Sequence, residues 1–266
     1  MSPIEAFAAL RPIAGKVPAV TAVFWITKAL TTGMGESTSD FLVHRLPPVV
    51  AVAIGFVALT VALWLQFRSN RYVPWRYWLA VSMVGVFGTM AADVLHVGLG
   101  VPYLVSTIVF ALTLAAVFVI WHRSERTLSI HSITTSRREV FYWAAVMATF
   151  ALGTAAGDMT AVTLHLGYLS SGVMFALLIA VPAVGYRWLA MNAVVAFWFA
   201  YVLTRPLGAS FADWMGVSHA RGGLDFGPGP VSLVLALAIV GLVANMKTAG
   251  ADTSAGVEIG VPAESD

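Results

Sequence analysis

One pattern occurs four times in this chain, and it constrains the fold more than any other feature. Each copy has a tryptophan, nine residues, a glycine, four residues and an aspartate, with no insertion inside the copy. The tryptophans lie 53, 65 and 55 positions apart, a period typical of one supersecondary unit used repeatedly. The four copies are Trp25–Gly35–Asp40, Trp78–Gly88–Asp93, Trp143–Gly153–Asp158 and Trp198–Gly208–Asp213.

The repeated units are strongly apolar. Of the 266 residues, 59% are hydrophobic and 11% are charged, whereas soluble domains carry roughly a quarter charged residues. Apolar runs of about 20 residues, enough to cross a hydrocarbon core of about 30 Å, recur throughout. We therefore predict an all-α integral membrane protein with eight transmembrane helices. The predicted spans are about 18–41, 48–67, 75–97, 101–121, 140–164, 168–186, 190–214 and 230–247.

The eight spans form one predicted membrane domain over residues 16–247. Residues 1–15 are predicted to be a cytoplasmic or interfacial segment, and residues 248–266, rich in Gly, Ala, Ser and acids, a disordered cytoplasmic tail. Eleven Lys and Arg residues fall on one side of the spans and two on the other, which predicts that both termini are cytoplasmic. The repeat boundaries are about 16–70, 71–130, 135–189 and 190–247.

Each repeat pairs a helix that carries the motif with a plain helix. Because every unit contains two spans, all four units enter the membrane in the same direction and are parallel repeats. The odd-numbered helices hold every charged residue predicted to lie within the membrane, so we expect them to form an inner ring. The even-numbered helices are apolar and suited to lipid. The charged residues are Lys28, Glu36, Asp40, Asp93, Asp158, Arg205 and Asp213.

Helical spacing places the small and polar residues of each motif on one face. At about 100° per residue they lie within an arc of about 140°. The motif glycines, Gly35, Gly88, Gly153 and Gly208, are each followed four residues later by a small residue, a pattern that lets helix backbones approach closely. For Trp25, Trp78, Trp143 and Trp198, an aromatic belt at the membrane interface or plain packing is the simplest interpretation.

The four aspartates have a structural and a functional interpretation. In the structural interpretation each aspartate hydrogen-bonds a neighbouring helix in a fourfold structural ring, but the residues around the aspartates are not repeated. One turn before the aspartate stand Glu36, Thr89, Thr154 and Ala209 in the successive repeats. Repeat one thus carries a carboxylate pair with Thr32 and Lys28 in line, and repeat four carries Arg205 instead. This asymmetry favours a site in which Glu36, Asp40, Lys28, Thr32, Asp93, Asp158, Asp213 and Arg205 bind an ion, a proton or a substrate.

Five predicted intramembrane acids and two bases leave three excess negative charges. A low-dielectric interior does not hold such charges without protons or a bound cation. Carboxylates and hydroxyls in a chain without Cys favour protons or hard cations, and the sequence leaves the metal undetermined. The histidines at positions 44, 96, 165 and 219 follow the aspartates at variable spacing. We expect them to be surface or capping residues rather than one shared metal site.

The stretch from Lys16 to Leu42, which contains Trp25, Gly35 and Asp40, resembles the start of a family of uncharacterised bacterial repeat-containing membrane proteins. That family has four tandem two-helix repeats, each with a characteristic tryptophan. The resemblance covers about residues 16–247 and implies a location in the bacterial inner membrane, but no activity. Repeat four departs most from the pattern, since Ala209 replaces the hydroxyl or acid after the glycine and Pro206 lies within its helix.

Two functions therefore stand at this point. The first is a transporter or exporter of a cation or small solute, with or without coupling to protons. The alternative is a non-transporting membrane scaffold or partner-binding subunit whose ring of aspartates is structural. We do not expect an enzyme, because no nucleophile motif, His-Glu-x-x-His motif or phosphate loop is present. Nothing suggests a cofactor or nucleic acid. The partners expected are the lipid bilayer and a small cation, proton or solute; the sequence leaves the substrate and the oligomeric state open.

Overall fold

The computed structural model describes the backbone of residues 15–257, and the side chains of this range except Val97 and residues 247–257. Within these residues the chain is helical and contains no strand. The predicted N-terminal segment, apart from Gly15, and residues 258–266 of the predicted tail lie outside the described residues. The eight main helices are α1 (Ala22–Arg45), α2 (Pro48–Phe67), α3 (Pro74–Asp93), α4 (Tyr103–Glu125), α5 (Ser136–Asp158), α6 (Tyr168–Trp188), α7 (Ala193–Gly216) and α8 (Pro228–Val257).

Short polar side chains and prolines start most of these helices. The Thr21 hydroxyl accepts a hydrogen bond from the amide of Phe24 at the start of α1, and Thr135 caps α5 in the same way. Asn192 caps α7. Helices α2 and α3 begin with a proline at the first position, where the missing N–H costs no intrahelical hydrogen bond. The helix boundaries therefore follow from local sequence.

Seven of the eight helices have the length and composition to cross a membrane, which indicates a membrane protein. The exception among the described helices is α1, which has 24 residues and is long enough, at 1.5 Å per residue, to span about 30 Å. Its composition is more polar, because Lys28, Glu36 and Asp40 all lie on it. Its crossing therefore depends on neighbours that cover these residues.

The four helices that carry the motif, α1, α3, α5 and α7, are called here the motif helices. Helix α1 packs against α3 and α7, and α5 packs against the same two helices. Each remaining helix packs mainly on the next motif helix, α2 on α3, α4 on α5 and α6 on α7, while α8 packs on α1. In the seven apolar helices, 56–67% of the residues of α3, α5 and α7 are buried, against 11–28% for α2, α4, α6 and α8. The polar motif faces are thus sheltered by other helices.

The motif tryptophans pack inside the protein. Trp78, Trp143 and Trp198 are buried and Trp25 is partly buried, within one aromatic cluster at the end of the motif helices that we call the Trp end. The hydroxyls of Tyr77 and Tyr142 lie 2.5 Å apart in this cluster. Three of these indoles therefore do not face the lipid interface in the way an aromatic belt would, because other helices and the segment after α4 cover them. They correspond to the plain packing interpretation.

A buried ion pair ties the Trp end together. The Lys16 ammonium lies 2.7 Å from Oε2 of Glu139, and Gln66 donates a hydrogen bond of 2.9 Å to Oε1 of the same carboxylate. These residues come from the segment before α1, from α2 and from α5. This contact joins repeats one and three at the opposite end from the motif aspartates, which we call the Asp end.

Candidate functional site

The motif glycines lie where the motif helices approach most closely. A Cβ atom at Gly35 would lie 2.7 Å from the backbone carbonyl carbon of Gly85 on α3, and one at Gly208 would lie 2.8 Å from Cβ of Thr32 on α1. Gly88 faces α5, and Gly153 faces α7. Because each glycine contacts the next motif helix, the residue that follows it is directed towards the middle of the four helices.

Arg205 occupies that middle and is fully buried. Its Nη2 lies 2.6 Å from Oε2 of Glu36 and 2.7 Å from the hydroxyl of Thr154, and also contacts the Thr89 hydroxyl. Its Nη1 donates a 3.2 Å hydrogen bond to the carbonyl of Thr32. One guanidinium of repeat four thus contacts the other three repeats. Glu36, Thr89 and Thr154 are the residues that follow the motif glycine in those repeats, and we call this group the central cluster.

Within the central cluster the charges of Arg205 and Glu36 compensate each other. The two groups form a buried ion pair in which the Glu36 side chain is 6% exposed. Thr89 donates a second hydrogen bond, of 3.1 Å, to the Glu36 carboxylate. A pair of this kind is stable only when its geometry and hydrogen bonds repay the desolvation of both ions. The cluster therefore holds no net charge and is closed to solvent.

Lys28 lies close to this cluster without joining it. Its ammonium is fully buried and has no hydrogen-bond acceptor among the described residues. It lies 4.2 Å from the ring centre of Phe150 and 4.3 Å from that of Tyr201. Aromatic faces rather than carboxylates therefore surround the Lys28 side-chain nitrogen. The Thr32 hydroxyl lies 2.6 Å from the carbonyl of Ala29 on its own helix and 3.1 Å from the carbonyl of Thr204 on α7.

The Asp end is more open. Asp40 and Asp213 are partly exposed and line one side of a cavity of about 430 Å³ between α1 and α7. The same cavity is lined by His44, Arg45 and Arg221. These two aspartates therefore face cationic side chains and solvent at once. A second cavity, of about 890 Å³, is lined mostly by apolar residues near the Trp end, including Trp25 and Phe197. Neither lining includes Lys28, Glu36 or Arg205.

The aspartates of repeats two and three lie together with a histidine. One ligand atom each from Asp93, His96 and Asp158 lies within 4.8 Å of the others, and Nδ1 of His96 is 3.9 Å from Oδ2 of Asp158. The side chain of His96 is 2% exposed, which contradicts the expectation of a surface histidine. His44, His165 and His219 do not join this group. Of the described residues, only these three have the geometry to hold a metal ion.

The predicted site residues thus fall into separate groups. The central cluster contains Glu36, Arg205 and the carbonyl of Thr32, whereas the four aspartates form two pairs one turn further along. Thr89 and Thr154, whose hydroxyls accept hydrogen bonds from Arg205, were not among the predicted site residues, although both stand at the same motif position as Glu36. His96 was not among them either. The signal for His96 was its distance of three residues from Asp93, close to one helical turn.

These features define a class: an all-helical protein built from four two-helix repeats, with a buried polar face on each motif helix. The chain matches the family model described as Repeat of Unknown Function (DUF347) four times, over residues 23–72, 76–127, 141–191 and 196–251. These matches cover most of the chain, and the protein belongs to this repeat family. The family assignment agrees with the resemblance and with the repeat number expected from the sequence. Neither the curated proteins nor the solved structures contain a match to this chain.

Proposed function

We propose that this protein is a multi-pass protein of the bacterial inner membrane that transports a cation or a small solute, with coupling to protons. The motif helices form an inner ring in the bilayer, and their polar faces line the route. The basic residues at the Trp end support a cytoplasmic location of that end and of both termini. The Asp end then faces the opposite side. The proposal assigns the chain no chemical reaction.

The observation that carries this proposal is the uneven compensation of charge along the motif helices. Glu36 is neutralised by Arg205 at 2.6 Å, and Asp40 and Asp213 share a cavity with Arg45 and Arg221. None of the four motif aspartates has a Lys or Arg nitrogen within 4 Å among the described residues, but Asp93 and Asp158 do not line the cavity that holds Arg45 and Arg221 either. Acids inside a membrane are costly. Carboxylates left without a cation are therefore the expected feature of a site that takes its cation from solution.

In this proposal the central cluster is the group that closes the route. It lies between the aspartates and the aromatic residues of the Trp end, and its guanidinium holds all four motif helices together. Protonation of Glu36 removes its negative charge and weakens the pair with Arg205. Asp40 stands one turn away on the same helix face and relays protons between the cavity and Glu36. The binding of a cation and the binding of a proton thereby shift the same equilibrium, between a closed and an open state of the route.

The alternative is a membrane scaffold, and one observation favours it. Arg205 contacts three other repeats through a dry network, which is also how a purely structural clamp would look. A scaffold predicts that Asp→Asn changes at any repeat lower stability about equally. Transport predicts instead that Asp40→Asn removes flux with little change in stability.

Flux in proteoliposomes tests the proposal. Purified protein is reconstituted with a trapped pH indicator, and uptake of Na⁺ and Mn²⁺ is measured under an imposed pH gradient. We expect pH-dependent uptake of one of these ions in the wild type and its loss in Glu36→Gln and Asp40→Asn. Asp225→Asn, in the exposed loop before α8, is the matched control. Unchanged flux in both acid variants would contradict the transport role.

A further inference from the structure

The group formed by Asp93, His96 and Asp158 has a feature that a pair of acids alone does not have. The imidazole of His96 is buried, and its Nδ1 atom has no hydrogen-bond partner among the described residues. That atom is directed at the Asp158 carboxylate, 3.9 Å from Oδ2. A buried polar atom without a partner is costly, and a ligand shared with the two nearby carboxylates would satisfy it.

The other side of the imidazole is compatible with a free lone pair on Nδ1. The Ser106 hydroxyl is placed to donate to the Tyr103 carbonyl at 3.0 Å, and its oxygen lies 2.5 Å from Nε2 of His96. Because this hydroxyl has one hydrogen, it accepts from Nε2–H when it donates to the carbonyl. The neutral imidazole then carries a lone pair on Nδ1. The ring of Tyr103 packs edge-on against His96 at 4.4 Å and holds it in this orientation.

The local backbone is also distinctive here. A wide π turn, Val94–Gly98, follows Asp93 directly and contains His96, and a second π turn, Met159–Thr163, follows Asp158. Among the described residues, the motif helices of repeats one and four have no such turn. Turns of this kind are frequent at functional sites because they redirect side chains. Here they accompany the two aspartates that lie together.

We propose that Asp93, His96 and Asp158 bind one divalent transition-metal ion. Nδ1 of His96 supplies the nitrogen ligand and each aspartate supplies one oxygen. Around an ion with ligand bonds of about 2.1 Å, tetrahedral ligands stand about 3.4 Å apart. The observed 3.9 Å between Nδ1 and Oδ2 is close to this separation. Ser106 is a positioning residue that fixes the imidazole from behind, as outer partners of metal-bound histidines do.

The ligand set selects the class of ion. Two carboxylates and one imidazole suit Mn²⁺ and Zn²⁺, whereas Mg²⁺ and Ca²⁺ prefer oxygen ligands alone. The Asp158 side chain is 19% exposed, so the ion is reached from the Asp end and keeps a position for water. This site does not rest on the proposed transport function, since a protein that moves nothing can still bind the ion.

Metal titration of the purified full-length protein in detergent tests this proposal. Isothermal calorimetry with Zn²⁺ and with Mn²⁺ should show one saturable site per chain. Asp93→Asn, Asp158→Asn and His96→Ala should each lower the affinity by about tenfold or more, and Ser106→Ala by about 10–100-fold. His165→Ala and Asp225→Asn alter an exposed histidine and an exposed aspartate away from the cluster and should bind as the wild type does.

A spectroscopic measurement on the wild type makes the test independent of how the variants fold. Pulsed electron paramagnetic resonance of the Mn²⁺-loaded protein should show coupling to one imidazole nitrogen. Three results would overturn the proposal: no saturable binding of either ion, binding that His96→Ala leaves unchanged, or a Mn²⁺ spectrum without nitrogen coupling. Equal, His96-independent binding of Mg²⁺ would also contradict it, because that indicates only general attraction to the acids.

Discussion

At the middle of the motif helices Arg205 and Glu36 satisfy each other at 2.6 Å, whereas at the Asp end Asp93 and Asp158 face a histidine nitrogen that has no partner. The two regions are separated by one helical turn, about 5.4 Å. One is dry, neutral and linked to every repeat, and the other is partly exposed and short of positive charge. The same repeated motif thus supports both a dry, neutralised centre and a partly exposed group of acids without a paired Lys or Arg.

The comparison predicts the largest loss of stability where the central charge is removed. Arg205→Met leaves Glu36 buried without its cation, and breaking a buried pair in this way costs about 3–5 kcal/mol. Unfolding titrations with sodium dodecyl sulfate should measure this loss. The double variant Arg205→Met with Glu36→Met should recover most of it, because Thr89 and Thr154 retain bonds to carbonyls of their own helices. If Arg205→Met were as stable as the wild type, the ion pair of the central cluster would not have this stabilising role.

A smaller effect is expected from the close approach of the motif helices. Gly35→Ala places a methyl group against the backbone of Gly85 at 2.7 Å, and overpacking of this kind costs about 1–3 kcal/mol. The matched control is Gly241→Ala on α8, where no heavy atom lies within 4 Å. There alanine should stabilise the helix by up to about 1 kcal/mol. Equal effects at the two positions, measured by the same titration, would refute the packing role of Gly35.

The smallest effect on stability is expected at Lys28. The buried Lys28 side-chain nitrogen has no hydrogen-bond acceptor among the described residues, which costs about 1–3 kcal/mol and more when the group is charged, and its contacts with the faces of Phe150 and Tyr201 offset about 2 kcal/mol of that cost. Lys28→Met keeps the side-chain length and removes the unsatisfied group, so it should lower the free energy of unfolding by less than about 1 kcal/mol or raise it. A loss as large as that of Arg205→Met would show that Lys28 belongs to the central cluster.

Much of the fold could be predicted from the sequence, because the apolar runs and the fourfold motif are local features. The helix α3 begins at Pro74 against a predicted start near residue 75, and the parallel two-helix repeat follows from counting spans. The polarity of α1 is harder to interpret, since Lys28 and Glu36 are acceptable in an apolar setting only when other helices cover them. Whether other helices cover these two residues depends on the tertiary structure.

The site was less predictable. Helical phasing placed Glu36 and Asp40 on one face and suggested a shared pair, but the structure pairs Glu36 with Arg205 from repeat four, 169 positions away. The helical periodicity of a single repeat gives no information about a contact between two repeats. His96 was misjudged for a related reason. The π turn after Asp93 and the packing against Ser106 and Tyr103 bury it, and neither is visible in residue spacing.

The middle of the motif helices should be closed to water, whereas the Asp end should be open to it. The chain has no cysteine, so single cysteines can be labelled with a membrane-impermeant maleimide without further changes. Thr154→Cys reports on the central cluster, and Asp213→Cys, at the wall of the cavity, reports on the Asp end. We expect rapid labelling at position 213 and none at position 154 in the intact membrane. Equal labelling at both positions would contradict this expectation.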